Sequence, residues 1–154
     1  MSACCVGGKD AGCANVGTSS APSYVGYNAR RAAVTIIEVF LQRMAVFDLR
    51  PVDFSVMSLV SRNPGITSRQ LCATLGILPP NLVGMVGALE KRGLIQRERH
   101  AKDGRALSLY ATDAGAALMR DAEKVATELE LAQTGRLTAT ERRTLMRLLQ
   151  KIYL

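Results

Sequence analysis

The 154 residues include 20 Lys and Arg against 13 Asp and Glu, a formal net charge of +7, and 48% are hydrophobic. That apolar share is enough for a packed core and rules out a wholly disordered chain, while the length sets one domain as the prior. Aromatics at 5% and the absence of Trp disfavour a binder that stacks single-stranded bases on aromatic platforms; the cation excess points to an acidic partner, nucleic acid or a membrane surface.

Residues 1–22 are rich in Gly, Ser, Ala and Cys without periodicity, the pattern of a flexible tail. Gly7-Gly8-Lys9-Asp10 lacks both the hydroxyl residue after Lys and the earlier Gly of a phosphate loop. No basic-then-apolar order of a secretory signal is visible. From Tyr24 to Phe47, apolar residues from Val25 through Ile36, Phe40 and Met44 recur at steps of three and four, which predicts a helix. Its wide apolar stripe suits packing against a partner chain as well as its own core. Asp48-Leu49-Arg50-Pro51 breaks that helix, and Pro51 suits the first position of a second one through Phe54, Met57 and Val60. Asn63-Pro64-Gly65 is a turn, and Thr67 with Gln70 forms a capping box for a short helix closed by Gly76. Pro79-Pro80-Asn81 opens a helix with Leu82, Val86 and Leu89 on one face, ending near Gly93. Leu94 to Arg99 and Arg105 to Ala111 are two strands about a Lys102-Asp103-Gly104 turn. A long helix starts at Thr112-Asp113 and reaches about Thr134. A second capping box, Thr138 to Glu141, opens a last helix with Leu145, Leu148, Leu149 and Ile152 on one face.

The expected fold is mainly α with a small β-hairpin wing: a winged helix-turn-helix at 48–112, flanked by helices at 23–47 and 113–154. Two short helices at a Gly-containing turn, followed at once by a two-stranded ribbon, place one helix for a major groove and a hairpin beside it. Charge agrees. Between Lys91 and Arg105 lie six basic residues (Lys91, Arg92, Arg97, Arg99, Lys102, Arg105) and two acidic ones (Glu98, Asp103). Such a cluster reads as a phosphate-facing patch, where cations release condensed counterions; the alternative is an ordinary solvated face.

Leu89-Glu90-Lys91-Arg92-Gly93-Leu94-Ile95, then Asp103-x-Arg105, then Leu109-x-x-Thr112-x-x-Gly115 together resemble the signature of the MarR family of bacterial transcription regulators. The resemblance extends from about Val25 to Leu154. It implies a homodimer built from the first and last helices, with the helix from about Pro80 to Lys91 as recognition helix. By the same resemblance Arg105 is the wing-tip arginine that enters the minor groove. Asp103 orients it by a charge-assisted hydrogen bond, or else is a plain turn residue. The expected DNA-contacting set is Ser68, Arg69, Pro80, Asn81, Val83, Gly84, Arg97, Arg99, His100, Lys102, Asp103 and Arg105. The outer face of the recognition helix is weakly polar, and Gly84 stands where the family often has Arg. Apolar contact with thymine methyls and DNA shape then carry more of the specificity.

The resemblance also implies a small aromatic-acid or phenolic effector in a crevice between dimerisation helices and winged unit. Candidate lining residues are Tyr24, Tyr27, Arg31, Phe40, Met44, Phe47 and Phe54; for the apolar ones, plain core packing is the competing reading. The expected function is a sequence-specific repressor released from its operator by that ligand. A thiol-based redox sensor is one alternative, through Cys13 ahead of Tyr24 and Tyr27, although a Gly/Ser tail is a poor place to stabilise a thiolate. A winged-helix protein–protein adaptor is another, but it needs no basic wing. Cys4, Cys5, Cys13 and Cys72 match no zinc spacing and no C-x-x-C, so a reducing cytoplasm is the simplest setting. The uncharged run from Gln70 to Leu89 is broken by Pro79-Pro80 and three Gly, which weakens a membrane reading. A basic amphipathic helix would mark a membrane surface, and the basic cluster lies on the hairpin instead. His100 is the only His and is expected near phosphates. No catalytic constellation, metal set or cofactor motif is present, so no enzyme activity is expected.

Overall fold

The computed structural model describes residues 23–99 and 107–154. The chain divides into two units, one ending at Val34 and the other spanning Thr35–Leu154. The elements in order are α1 (Val25–Met44), a 3-10 turn (Ala45–Phe47), α2 (Pro51–Arg62), β1 (Ile66–Thr67), α3 (Ser68–Leu75), α4 (Pro79–Lys91), β2 (Ile95–Arg99), β3 (Leu107–Ala111), α5 (Asp113–Gln133) and α6 (Ala139–Tyr153). The predicted tail at 1–22 and the wing turn at 100–106 lie outside the described residues.

Local chemistry sets the helix starts. Pro51 opens α2, and Asp53 in its first turn accepts from the Arg50 backbone N–H at 3.3 Å and from its guanidinium at 2.7 and 3.0 Å. The hydrogen bond to Asp53, then its charge, raises the Arg50 guanidinium pKa above its ordinary value. Both expected capping boxes form. Thr67 Oγ1 accepts from Gln70 N while Gln70 Oε1 accepts from Thr67 N, and the Thr138–Glu141 pair repeats the arrangement at α6. Gly76 closes α3 with φ +63°, a left-handed value that glycine tolerates without a Cβ clash.

The sheet is a three-stranded antiparallel one in the order β1-β3-β2, with Ile66 opposite Leu109 and Arg97 opposite Leu109 on the other side. The sequence predicts only the hairpin. The third strand is two residues long, too short to show alternation, and it borrows its pairing from β3. The core is continuous across these elements. Val56, Met57 and Val60 of α2, Leu71 of α3, Leu82, Val86 and Leu89 of α4, and Ile95 and Leu109 of the sheet are buried, with Met119 and Ala122 of α5 closing over them. No residue of α6 is buried.

The root of the hairpin is a backbone junction. Thr112 Oγ1 donates to Gly93 O at 2.6 Å and accepts from Gly115 N at 3.0 Å, while Thr112 N donates to Leu94 O at 3.1 Å. A Cβ on Gly115 would overlap the Leu94 carbonyl oxygen and lie 3.1 Å from Met57 Cε. Gly115→Ala is therefore expected to destabilise the fold by about 1–3 kcal/mol, as overpacking does where backbone has to yield; urea unfolding checks it. At the other end, hydrogen bonds from Thr138, the backbone N–H first, hold the Glu141 carboxyl below its ordinary pKa. A depressed carboxylate stabilises above its unfolded pKa, and that contribution is lost as pH falls through the folded pKa. Acidification below the ordinary carboxylate range is expected to cost wild-type helicity at α6 more than it costs Glu141→Gln, measured by circular dichroism.

Candidate nucleic-acid interface

The α3 and α4 axes turn through 115°, within the range for helix-turn-helix pairs. Leu82, Val86 and Leu89 hold α4 to the core, so its opposite face is left to solvent. Pro80, Asn81, Val83 and Gly84 are exposed there, and a Cβ on Gly84 would meet nothing within 4 Å. Pro79 and Pro80 fix the first turn without amide donors. Ser68 and Arg69 stand exposed at the start of α3, and Arg99 at the end of β2. Each of these expected DNA-contacting residues is exposed; His100, Lys102, Asp103 and Arg105 lie outside the described residues.

The basic cluster is less free than its composition suggests. Arg92 donates from Nη1 to Asp48 O at 2.6 Å and from Nη2 to Phe47 O at 2.9 Å, with Asp48 Oδ2 at 3.7 Å. It ties the end of α4 to the connection after α1, and Asp48 meets it in the left-handed region at φ +49°. Arg92 thus commits two of its N–H groups to the fold. Arg97 Nε is 3.0 Å from Glu90 Oε2. A phosphate has to compete with that carboxylate or use the remaining N–H edges of the guanidinium. Arg69, Lys91 and Arg99 have no ion pair among the described residues. Sequence reasoning missed the Arg92 tie because its acceptors are backbone carbonyls 44 and 45 residues away.

The expected effector-lining residues fall in both units. Tyr24 and Tyr27 are exposed, as is Arg31, and all three belong to the first unit. Met44 is fully buried in the core and Phe47 is half-buried. Phe40 and Phe54 meet edge to face with centroids 5.5 Å apart. Phe54 also lines a crevice of about 220 Å³ between α2 and α5, with Ser58, Arg62, Glu123 and Thr127. Arg62 pairs with Glu123 across it at 3.1 Å. Cys72 is half-buried on α3; the other three cysteines lie outside the described residues. Among the described residues no group of His, Cys, Asp and Glu could hold a metal ion, and no single helix is long and apolar enough to cross a membrane.

Comparison with known proteins follows this geometry. Residues 47–106 match the family model described as MarR family. The structure of a transcriptional repressor, CouR, bound to a 23-mer DNA duplex is 37% identical, with a TM-score of 0.82 over 90% of this chain and 99% of that one. CouR from Rhodococcus jostii RHA1 bound to p-coumaroyl-CoA is 26% identical, with a TM-score of 0.80 over 86% and 93% of the two chains. An HTH-type transcriptional repressor of Mycobacterium bovis is 26% identical over 128 residues, 83% of this chain and 92% of that protein.

Arg69→Ala and Arg99→Ala are each expected to lower the salt slope of duplex binding by about one, the signature of a lost phosphate contact. Arg92→Gln is expected to lower the melting temperature and leave that slope unchanged. Binding titrations across a salt series, with thermal melts, check both.

Proposed function

The chain belongs to the MarR family of transcriptional regulators, and from that premise we propose that it is a homodimeric repressor released from its operator by a small aromatic-acid or phenolic ligand. The observation that carries the reading is α4 itself: one face is locked into the core, the other is bare, and a basic strand stands beside it. That arrangement presents a rigid helix to the major groove with cations placed for the flanking phosphates. Arg69, Pro80, Asn81, Val83, Gly84 and Arg99 are the described members of this surface. His100, Lys102, Asp103 and Arg105 complete it on sequence grounds, with Arg105 at the minor groove. Relatives named as repressors, one of them bound to a DNA duplex, support the reading. It places the protein with the chromosome, in the cytoplasm.

The homodimer is supported by apolar surface that the chain leaves uncovered. Ile37 and Leu41 on α1, and Leu148, Ile152 and Tyr153 on α6, are exposed by 42 to 70%. Contiguous apolar faces of this kind mark interaction sites. Two recognition helices then meet successive major grooves, which are about 34 Å apart. For the effector, the α2–α5 crevice lies between a helix of the DNA-reading unit and a long flanking helix. A neighbour with p-coumaroyl-CoA bound supports a ligand-responsive reading. A ligand that binds better to a spacing unfit for DNA shifts the population toward release.

The test is fluorescence anisotropy against duplex DNA from upstream of the protein's own gene. The expected result is salt-steep binding that random duplex does not match, and release by an aromatic acid. Ile152→Glu is expected to give monomers in ultracentrifugation and to weaken binding. Sequence-blind, salt-flat binding overturns the reading.

A further inference from the structure

The hydrogen bonds of Arg92 join parts of the fold that lie far apart in sequence. Arg92 is the C-cap of α4, and its own N–H donates to Ala88 O. The next residue, Gly93, turns through φ +69°, and its carbonyl accepts from Thr112 Oγ1. The end of α4 is thus held on one side by the Thr112 junction. On the other side the guanidinium grips Phe47 O at 2.9 Å and Asp48 O at 2.6 Å. A guanidinium presents its donors in a fixed planar fork, so two bonds from it set orientation as well as distance. The gripped segment is itself tightly turned. Asp48 N donates to Ala45 O at 3.1 Å, and Asp48 occupies the left-handed region that residues with a Cβ seldom adopt. Such a residue persists where its surroundings over-determine it, and Arg92 supplies two bonds here, with its Nη1 3.7 Å from Asp48 Oδ2. Directly ahead of this segment, in the last two turns of α1, stand the exposed Ile37 and Leu41.

We propose that Arg92 is a positioning residue that sets DNA specificity: it fastens the recognition helix to the end of α1, and so fixes which spacing between two half-sites the dimer accepts. This role rests on the homodimeric-regulator reading. In a two-fold dimer, each recognition helix is placed by its own subunit's path back to the dimer face, and half-site spacing mirrors that placement. One path runs through the α1–α2 connection, α2 and the core between α2 and α4. Arg92 adds a second and shorter one, a single side chain from the end of α4 to the residues that follow α1. Two independent ties leave α4 less freedom to tilt than one. In this role Arg92 acts through α4, without touching DNA.

The test compares two duplexes by fluorescence anisotropy with the full chain. One is the sequence that wild type footprints upstream of its own gene; the other carries one base pair inserted at its centre. The insertion moves the half-sites apart by about 3.4 Å and rotates one against the other by about 35°. Wild type is expected to bind the natural spacing about tenfold tighter or more. Arg92→Gln is expected to bring that ratio down to about threefold or less, with the salt slope on the natural duplex unchanged. A tie that only stabilises the fold lowers the folded fraction, weakens both duplexes alike and leaves the ratio where it was. Arg92→Lys keeps the charge beside Asp48 and loses the planar fork, so its ratio is expected below that of wild type and above that of Arg92→Gln; it decides the matter if Arg92→Gln does not fold. A wild-type ratio in the folded variants, or no spacing preference in wild type, overturns the proposal. So does a salt slope lowered by about one in Arg92→Gln and kept in Arg92→Lys, the mark of a phosphate contact. Failure of wild type to bind any duplex sequence-specifically overturns the regulator reading itself, whereas specific binding with an unmoved ratio overturns this proposal alone.

Discussion

The junction of Thr112, Gly93, Leu94 and Gly115 fixes the rest of the DNA-reading unit. There the first turn of α5 rests directly on the backbone that leads from α4 into β2, and the absence of a side chain at Gly115 is what permits it. Three hydrogen bonds, from 2.6 to 3.1 Å, converge on Thr112. Each contributes about 1 kcal/mol net. Their larger effect is geometric. They set the angle at which α4 ends and the hairpin begins, and so the relation between a helix placed for one groove and a ribbon placed beside it. The spacing Leu109-x-x-Thr112-x-x-Gly115 follows from this contact. Leu109 belongs to the buried side of β3, Thr112 caps α5, and Gly115 makes the close approach.

The same economy governs the charges. Of the described cations between Lys91 and Arg99, Arg92 serves the fold and Arg97 is shared with Glu90, while Lys91 and Arg99 face solvent. An exposed ion pair is worth about 0–1 kcal/mol, so Glu90 does not lock Arg97 away from a phosphate. It holds the guanidinium against the α4–β2 corner at little cost. Arg92 is different. Its two acceptors are neutral carbonyls of a segment that turns through a left-handed residue. A net charge counted along the sequence treats these arginines alike; the fold separates a fastener from a contact.

Elements with strong periodicity or cap chemistry were legible in the sequence. The boundaries of α2 through α6 follow from Pro51, the Thr67 and Thr138 capping boxes, Gly76 and the Leu82–Val86–Leu89 face. What the sequence did not disclose rests on long-range partners: β1 exists through its pairing with Leu109 and Ser108, and the Arg92 tie through carbonyls on the far side of the α1–α2 connection. The candidate lining residues in and near α1 are grouped by family resemblance, with helical spacing of the apolar ones as the competing sign of a core. Spacing cannot distinguish Met44, sealed in the core, from Phe40, which lies on a cavity wall. Helical periodicity records which residues are apolar on one side, and a core and a pocket use the same residues for that purpose.

Regulation of such a unit depends on which helix a ligand can move. A ligand shifts a conformational equilibrium only by its differential affinity for two states, and a packed core transmits displacement as a body because its interior is close-packed. The geometry of α2 suits that role. Val56, Met57 and Val60 are fully buried against the helix-turn-helix core, so this face cannot yield independently of α4. Its other face carries Phe54, Ser58 and Arg62 along the crevice with α5, and Phe54 in turn abuts Phe40. Pressure on Phe54 is therefore pressure on the whole DNA-reading unit. Through α2, a displacement of Phe54 is carried to the core that holds α4.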